Sequence, residues 1–197
     1  NADEGVRRSC AILLGYIGDR SALPALQAAL EDWEPSVRQS VVRALERIPD
    51  PSSIDPLVKL FSRKDEALEV RALVLKALGA IGHKKAVAVL RKELTRKPDG
   101  ESGEDLRPQA FDALWRSRHV MSRETLIGDV GDALEGKKDP LVLAATHAAA
   151  DLRSQRLTGK LVPLLDHANA EIRNKAVYAL GLIGDKAAEK ALLAKLP

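Results

Sequence analysis

The stretch VRRSCAILLGYIGD, Val6 to Asp19, returns near the other end of the chain as IRNKAVYALGLIGD, Ile172 to Asp185. An aliphatic residue followed by arginine opens each copy, and Leu-Gly-x-Ile-Gly-Asp closes it. The opening pair is found again as Val37-Arg38, Val70-Arg71 and Leu106-Arg107, and a copy that has lost its arginine begins at Leu141-Val142. The successive intervals are 31, 33, 36, 35 and 31 residues. A fixed period of this size marks an architecture of stacked repeats, in which each unit buries its apolar face only against its neighbours.

Within a unit the spacing predicts two helices joined by a tight turn. In the first unit Val6, Cys10, Leu13, Leu14 and Ile17 fall on one stripe at helical steps of three and four. Val70, Val74, Ala77, Leu78 and Ile81 repeat the stripe in the third. Gly18, Gly82 and Gly184 stand where a left-handed residue ends the helix, and Asp19, Asp50 and Asp185 stand where a side chain can cap the next turn. His83 and His119 take that place in units three and four, which predicts an uncapped turn there. The second helices run through a core series of Leu26, Leu57, Leu90, Val130, Leu161 and Leu192. Pro24 and Pro56 lie near first turns, while Pro163 lies deeper and should shorten its helix. No strand-like alternation competes with this pattern. The reading is all-α, an α-solenoid of about six helical hairpins. The approximate units are 4–33, 34–64, 66–95, 104–136, 138–167 and 168–197 of a single repeat domain. The polar stretch 96–105, RKPDGESGED, reads as an exposed loop between the third and fourth.

VRRSCAILLGYIGD, VRALVLKALGAIGH and IRNKAVYALGLIGD, with VRQSVVRALERIPD more distantly, resemble the HEAT-like repeats of the phycobilin (PBS) lyase type. The resemblance spans nearly the whole chain and weakens from about Leu106 to Leu165. It implies first helices on a convex side and second helices on a concave side. It also implies that Arg7, Arg38, Arg71, Arg107 and Arg173 form a structural ladder with acidic groups of neighbouring repeats. The shared six-residue spacings Asp32 to Arg38 and Asp65 to Arg71 fit such pairing. A row of exposed anion-binding arginines is the rival reading. A bilin lyase or an accessory subunit of one is the activity that the resemblance suggests.

Composition narrows the rest. The chain has 197 residues, 45% hydrophobic and 3% aromatic, with 31 basic against 28 acidic side chains. A net charge of +3 does not demand a polyanionic partner. One cysteine excludes an internal disulfide and fits a reducing compartment, which favours the cytoplasm. The chain opens at Asn1, without Met and at a repeat edge, so a removed leader or a longer parent protein, and hence export, stays open. No apolar run is long enough to span a membrane.

Chemistry is sparse. His83, His119, His147 and His167 form no HExxH and no paired ligand spacing. Deoxyhypusine hydroxylases, which these repeats also resemble, carry His-Glu pairs for iron, and no histidine here precedes a glutamate. His147, among alanines, reads as a partly buried helix residue. Cys10 occupies a small apolar slot and reads as a buried hydrophobe. No metal, no cofactor and no catalytic group is expected. The outward positions of the second helices mix small, aliphatic and charged residues, with Lys59, Arg91 and Lys92 together in the first half. Trp115, near the glycine slot of unit four, packs beneath the loop or anchors a partner. The sequence therefore points to a non-enzymatic scaffold that holds a protein or peptide with an acidic stretch on the concave face through Lys59, Arg91, Lys92 and Trp115. A nucleic-acid-binding protein is a further alternative, opposed by Asp132 on unit four and by the few aromatic platforms. Oligomeric state is open.

Overall fold

A computed structural model describes residues 3–96 and 105–196. Among them are twelve α-helices and no strand. The chain divides into two compact units, residues 1–120 and 121–197. The expected fourth repeat, 104–136, contributes one helix to each. Of the expected loop 96–105, residues 97–104 lie outside the described residues.

The first unit contains α1 (Glu4–Ile17), α2 (Leu23–Ala29), α3 (Pro35–Arg47), α4 (Ile54–Phe61), α5 (Leu68–Ile81), α6 (Lys84–Leu94) and α7 (Arg107–Arg116). First helices form one row, α1 on α3, α3 on α5 and α5 on α7. Each second helix packs on the first helix of the next hairpin, α2 on α3, α4 on α5 and α6 on α7. The second unit contains α8 (Arg123–Leu134), α9 (Asp139–Leu152), α10 (Thr158–Leu161), α11 (Ala170–Ile183) and α12 (Glu189–Leu193). There α8 and α11 both pack on α9. Pro163 ends α10 after a single turn, and a 3-10 segment, Val162–Asp166, packs on α11 in its place.

The caps follow from residue type. Gly18, Gly82 and Gly184 end α1, α5 and α11 with φ of 73°, 58° and 65°. Arg153 does the same for α9 at φ 47°, a conformation that an L side chain adopts at a cost. Asp19, Asp50 and Asp185 accept from the backbone N–H groups of Ser21, Ser52 and Ala187, and these bonds hold all three carboxyls below the usual carboxylate range. The turn of unit three is capped after all, because His83 Nδ1 accepts from Lys85 N–H at 3.1 Å.

Leu26, Leu57, Leu90, Val130 and Leu161 are buried as the periodicity requires. Each such side chain contributes about 1.5–3 kcal/mol relative to exposure. Leu192, in the last hairpin, is only half-buried. Small residues set the spacing of the first-helix row. A Cβ on Gly15 would lie 2.7 Å from Ala44 Cα, and one on Gly79 would lie 2.7 Å from the Ala113 carbonyl oxygen. Two expectations of burial are corrected. Cys10 is exposed, since it sits on the outer face of the first hairpin, and His147 is exposed on α9.

Candidate partner-binding face

The recurring arginines fasten the turn between one hairpin and the next. Arg7 donates through Nε and Nη2 to the two carboxylate oxygens of Asp32, at 2.6 and 3.0 Å. Asp32 lies in the turn before α3. Its carboxyl is pulled below the usual range by that bond, and the guanidinium of Arg7 is raised in return. Arg38 repeats the arrangement one hairpin on, with both bonds to Glu66 at 2.7 Å. It also donates Nη1 to the carbonyls of Asp32 and Trp33. Arg173 does likewise with the carbonyls of His167 and Ala168, the residues six and five before it. The six-residue spacing therefore reaches a backbone carbonyl. The carboxylate partner of Arg7 and Arg38 comes from the turn that leads into the next first helix, and for Arg38 it is Glu66 and not Asp65. Arg107 bonds Asp105, two residues before it, at 2.8 and 2.7 Å. Arg71 lies over the Phe61 ring, 5.1 Å from its centre. A guanidinium can meet all these demands because its planar fork offers five donors at once.

Helices α4, α5 and α6 border a groove of about 800 Å³. Val58, Phe61 and Ser62 come from the end of α4, Arg71 from α5, and Val89, Lys92 and Glu93 from α6, with Arg63, Lys64 and Arg96 from the turns that follow α4 and α6. Its apolar members are half-buried, and Lys64, Lys92 and Arg96 are exposed. Glu93, buried on α6, is the one carboxylate among the described residues of the lining, and it pairs with Arg96 at 3.7 Å. Arg63 pairs with Glu31 of the preceding hairpin. Positive side chains gather here partly because helices end here. The last turns of α4 and α6 carry Lys59, Arg91 and Lys92, which offset the negative end of the helix dipole.

Of the four side chains expected to bind a partner, Lys92 alone lines this groove. Lys59 stands on α4 with its ammonium 2.9 Å from Glu31, exposed to water. Arg91 is exposed on α6. Trp115 is half-buried on α7, where the Arg118 guanidinium lies 5.2 Å from its ring centre and donates to the Trp115 carbonyl. Periodicity along one helix could not reveal Arg63, Lys64 and Arg96. They sit in turns: Arg96 follows α6, and the packing of α4 near α6 brings Arg63 and Lys64 beside it. Among the described residues no group of three or more His, Cys, Asp and Glu is placed to hold a metal ion, and no helix is long and apolar enough to cross a membrane.

A family model described as HEAT repeats matches residues 1–68 and again 32–115. No curated protein matches the sequence. Among solved structures, the chain is similar to the complex of CpcE and CpcF of phycocyanin lyase from Nostoc sp. PCC7120, at 23% identity and a TM-score of 0.59, over 98% of this chain and 76% of that one. Computationally designed armadillo repeat proteins for modular peptide recognition match at 20% identity and 0.56, over 91% and 94%. Human deoxyhypusine hydroxylase in complex with glycerol matches at 16% identity and 0.52, over 98% and 84%. Likeness at these identities is a likeness of fold.

Proposed function

The chain belongs to the HEAT-repeat family, and from that premise we propose that it is a non-enzymatic scaffold whose groove between α4 and α6 holds an extended segment of a partner protein rich in acidic residues. The observation that carries this reading is the lining itself. Half-buried Val58, Phe61 and Val89 offer apolar contact, and Arg63, Lys64 and Lys92 offer charge, around a concavity of about 800 Å³. Lys59 and Arg91, outside the lining, add to the positive field that steers such a segment in. The designed armadillo proteins, which share the fold, are described by their peptide recognition. The test is a titration of fluorescein-labelled peptides of mixed Glu and Leu, read by anisotropy. Combined Arg63→Glu and Lys92→Glu should weaken binding about tenfold, near 1.4 kcal/mol. An unchanged Kd would remove the groove from consideration.

Two other readings are kept distinct by the same material. Nucleic acid would bind the same cations through phosphate, with affinity falling steeply as salt rises. We expect no gel shift of duplex DNA at low salt, and a strong shift would favour that reading. The kinship to phycobilin-lyase repeats, and with it the lyase or accessory-subunit activity, rests on sequence resemblance and on the fold shared with CpcE and CpcF. Mixing the protein with bilin and apophycobiliprotein should leave the absorbance spectrum unchanged, and a shifted band would support the lyase.

A further inference from the structure

The row of first helices carries a furrow of about 440 Å³ over α5, between α3 on one side and α7 on the other, all within the first unit. Among the described residues it shares none with the groove of α4 and α6. Half-buried Ala72 and Leu73 of α5 and buried Ala113 of α7 give it an apolar floor. Lysine and arginine side chains lay their aliphatic stems along surfaces of this kind while the charged head stays among polar groups.

Along each helix the lining passes from hydrogen-bond acceptors to a cation. Gln39 leads to Arg43 on α3, Glu69 to Lys76 on α5, and Gln109 and Asp112 to Arg116 on α7. The cations gather around one acid. Lys76 and Arg116 both reach Glu46 of α3, at 3.2 and 3.4 Å, Arg116 from the far side of α5. Arg43 borders the same Glu46 and Lys76 in an adjoining hollow. The carboxylates of the acceptor end have no such partner, since neither Glu69 nor Asp112 makes an ion pair among the described residues. Asp112 is exposed on α7, yet partial desolvation pushes its carboxyl above the usual range, and the charge of Arg116 offsets that only in part. A carboxylate that has lost water without gaining a counter-ion is stabilised by a cation that arrives from outside.

We propose that this furrow binds a lysine or arginine side chain of a partner protein, with its stem on Ala72 and Leu73 and its cation between Glu69 and Asp112. The side-chain carbonyls of Gln39 and Gln109 are further acceptors for its N–H groups. The first unit then has opposite charge preferences at two places. Cations surround the groove of α4 and α6, and unpaired carboxylates stand on the row of first helices. Complementary charge selects the partner at each place, so a basic segment is steered to the furrow and away from the groove. Because the two sites use different residues, one copy of the chain holds both segments at once.

Anisotropy titration of a fluorescein-labelled peptide of mixed Lys and Ala, beside one in which Gln replaces Lys, tests this on the full chain. The Lys peptide should bind and the Gln peptide should not. Combined Glu69→Gln and Asp112→Asn, both at exposed sites, should weaken the Lys peptide about tenfold, near 1.4 kcal/mol, with unchanged helical circular dichroism. Gln109→Arg, also at an exposed site, sets a cation of the chain's own at the acceptor end and should weaken it too, which keeps the test decisive if the double variant unfolds. Arg63→Ala with Lys92→Ala removes charge from the groove alone and should leave the Lys peptide's Kd unchanged. The groove and the furrow therefore fail separately, the first with the Glu and Leu peptide and the second with the Lys peptide. A Lys peptide that does not bind overturns the proposal. So does one whose Kd ignores the furrow variants, or one that the Gln peptide matches.

Discussion

Arg38→Ala should be among the most damaging single substitutions in the first unit. Arg38 is 8% exposed, and its guanidinium satisfies four acceptors: both oxygens of Glu66 and the carbonyls of Asp32 and Trp33. The carboxylate of Glu66 has no access to water. Truncating the arginine strands that carboxylate without its counter-ion, and it loosens the turn that leads into α3. Breaking a buried pair from one side costs about 3–5 kcal/mol. For a chain of this size each kcal/mol lowers Tm by about 2–4 °C, so the loss is about 6–20 °C. Urea melts followed by circular dichroism, with a thermal melt beside them, measure it. The double variant Arg38→Met with Glu66→Met removes both charges, and it should recover most of the loss because no uncompensated ion is left behind. Lys59→Ala is the internal control, since its pair with Glu31 is exposed on both sides and should change stability by less than about 1 kcal/mol. A loss for Arg38→Ala no larger than that of Lys59→Ala would refute the clamp. So would a double variant as damaged as the single one.

Three further outcomes follow from the same contacts. Arg7 holds the Asp32 carboxyl below its ordinary range, so the ionised form stabilises the fold at neutral pH. That contribution is present above the unfolded pKa of about 3.9 and is lost as pH falls through the lower folded value, so Asp32→Asn should flatten the acid side of a stability–pH curve. Gly79→Ala should destabilise by about 1–3 kcal/mol, because its methyl meets the backbone of Ala113. Gly128→Ala, on α8 with open space around it, should stabilise by about 0.5–1 kcal/mol, and chemical melts of the pair decide whether the close approach or helix propensity governs. Arg153→Gly should raise stability by up to about 1 kcal/mol by relieving a left-handed backbone, and an unchanged or lower melting midpoint would mean that the arginine side chain earns its place by contacts.

What the sequence disclosed, and what it withheld, divides along a physical line. Glycine at a left-handed helix end and aspartate two residues before a free N–H are local demands, so Gly18, Asp19, Gly184 and Asp185 could be placed without knowing any neighbour. His83 was harder to place because an imidazole nitrogen can cap as a carboxylate does, and only the ring's orientation decides whether it does. Glu66 and Asp65 are adjacent acids, equal on paper, and the choice between them belongs to the hairpin that donates Arg38. The groove is further from view, since Arg63, Lys64 and Arg96 lie in turns where no periodicity marks a face. Cys10 and Leu13 carry the sharpest lesson. Helical spacing says that a stripe is able to be buried, while burial itself needs a second surface. On α3 that surface is α1, and on α1 it has to come from another hairpin. An apolar stripe is therefore buried only where a neighbouring hairpin lies against it, which the spacing within one helix does not reveal.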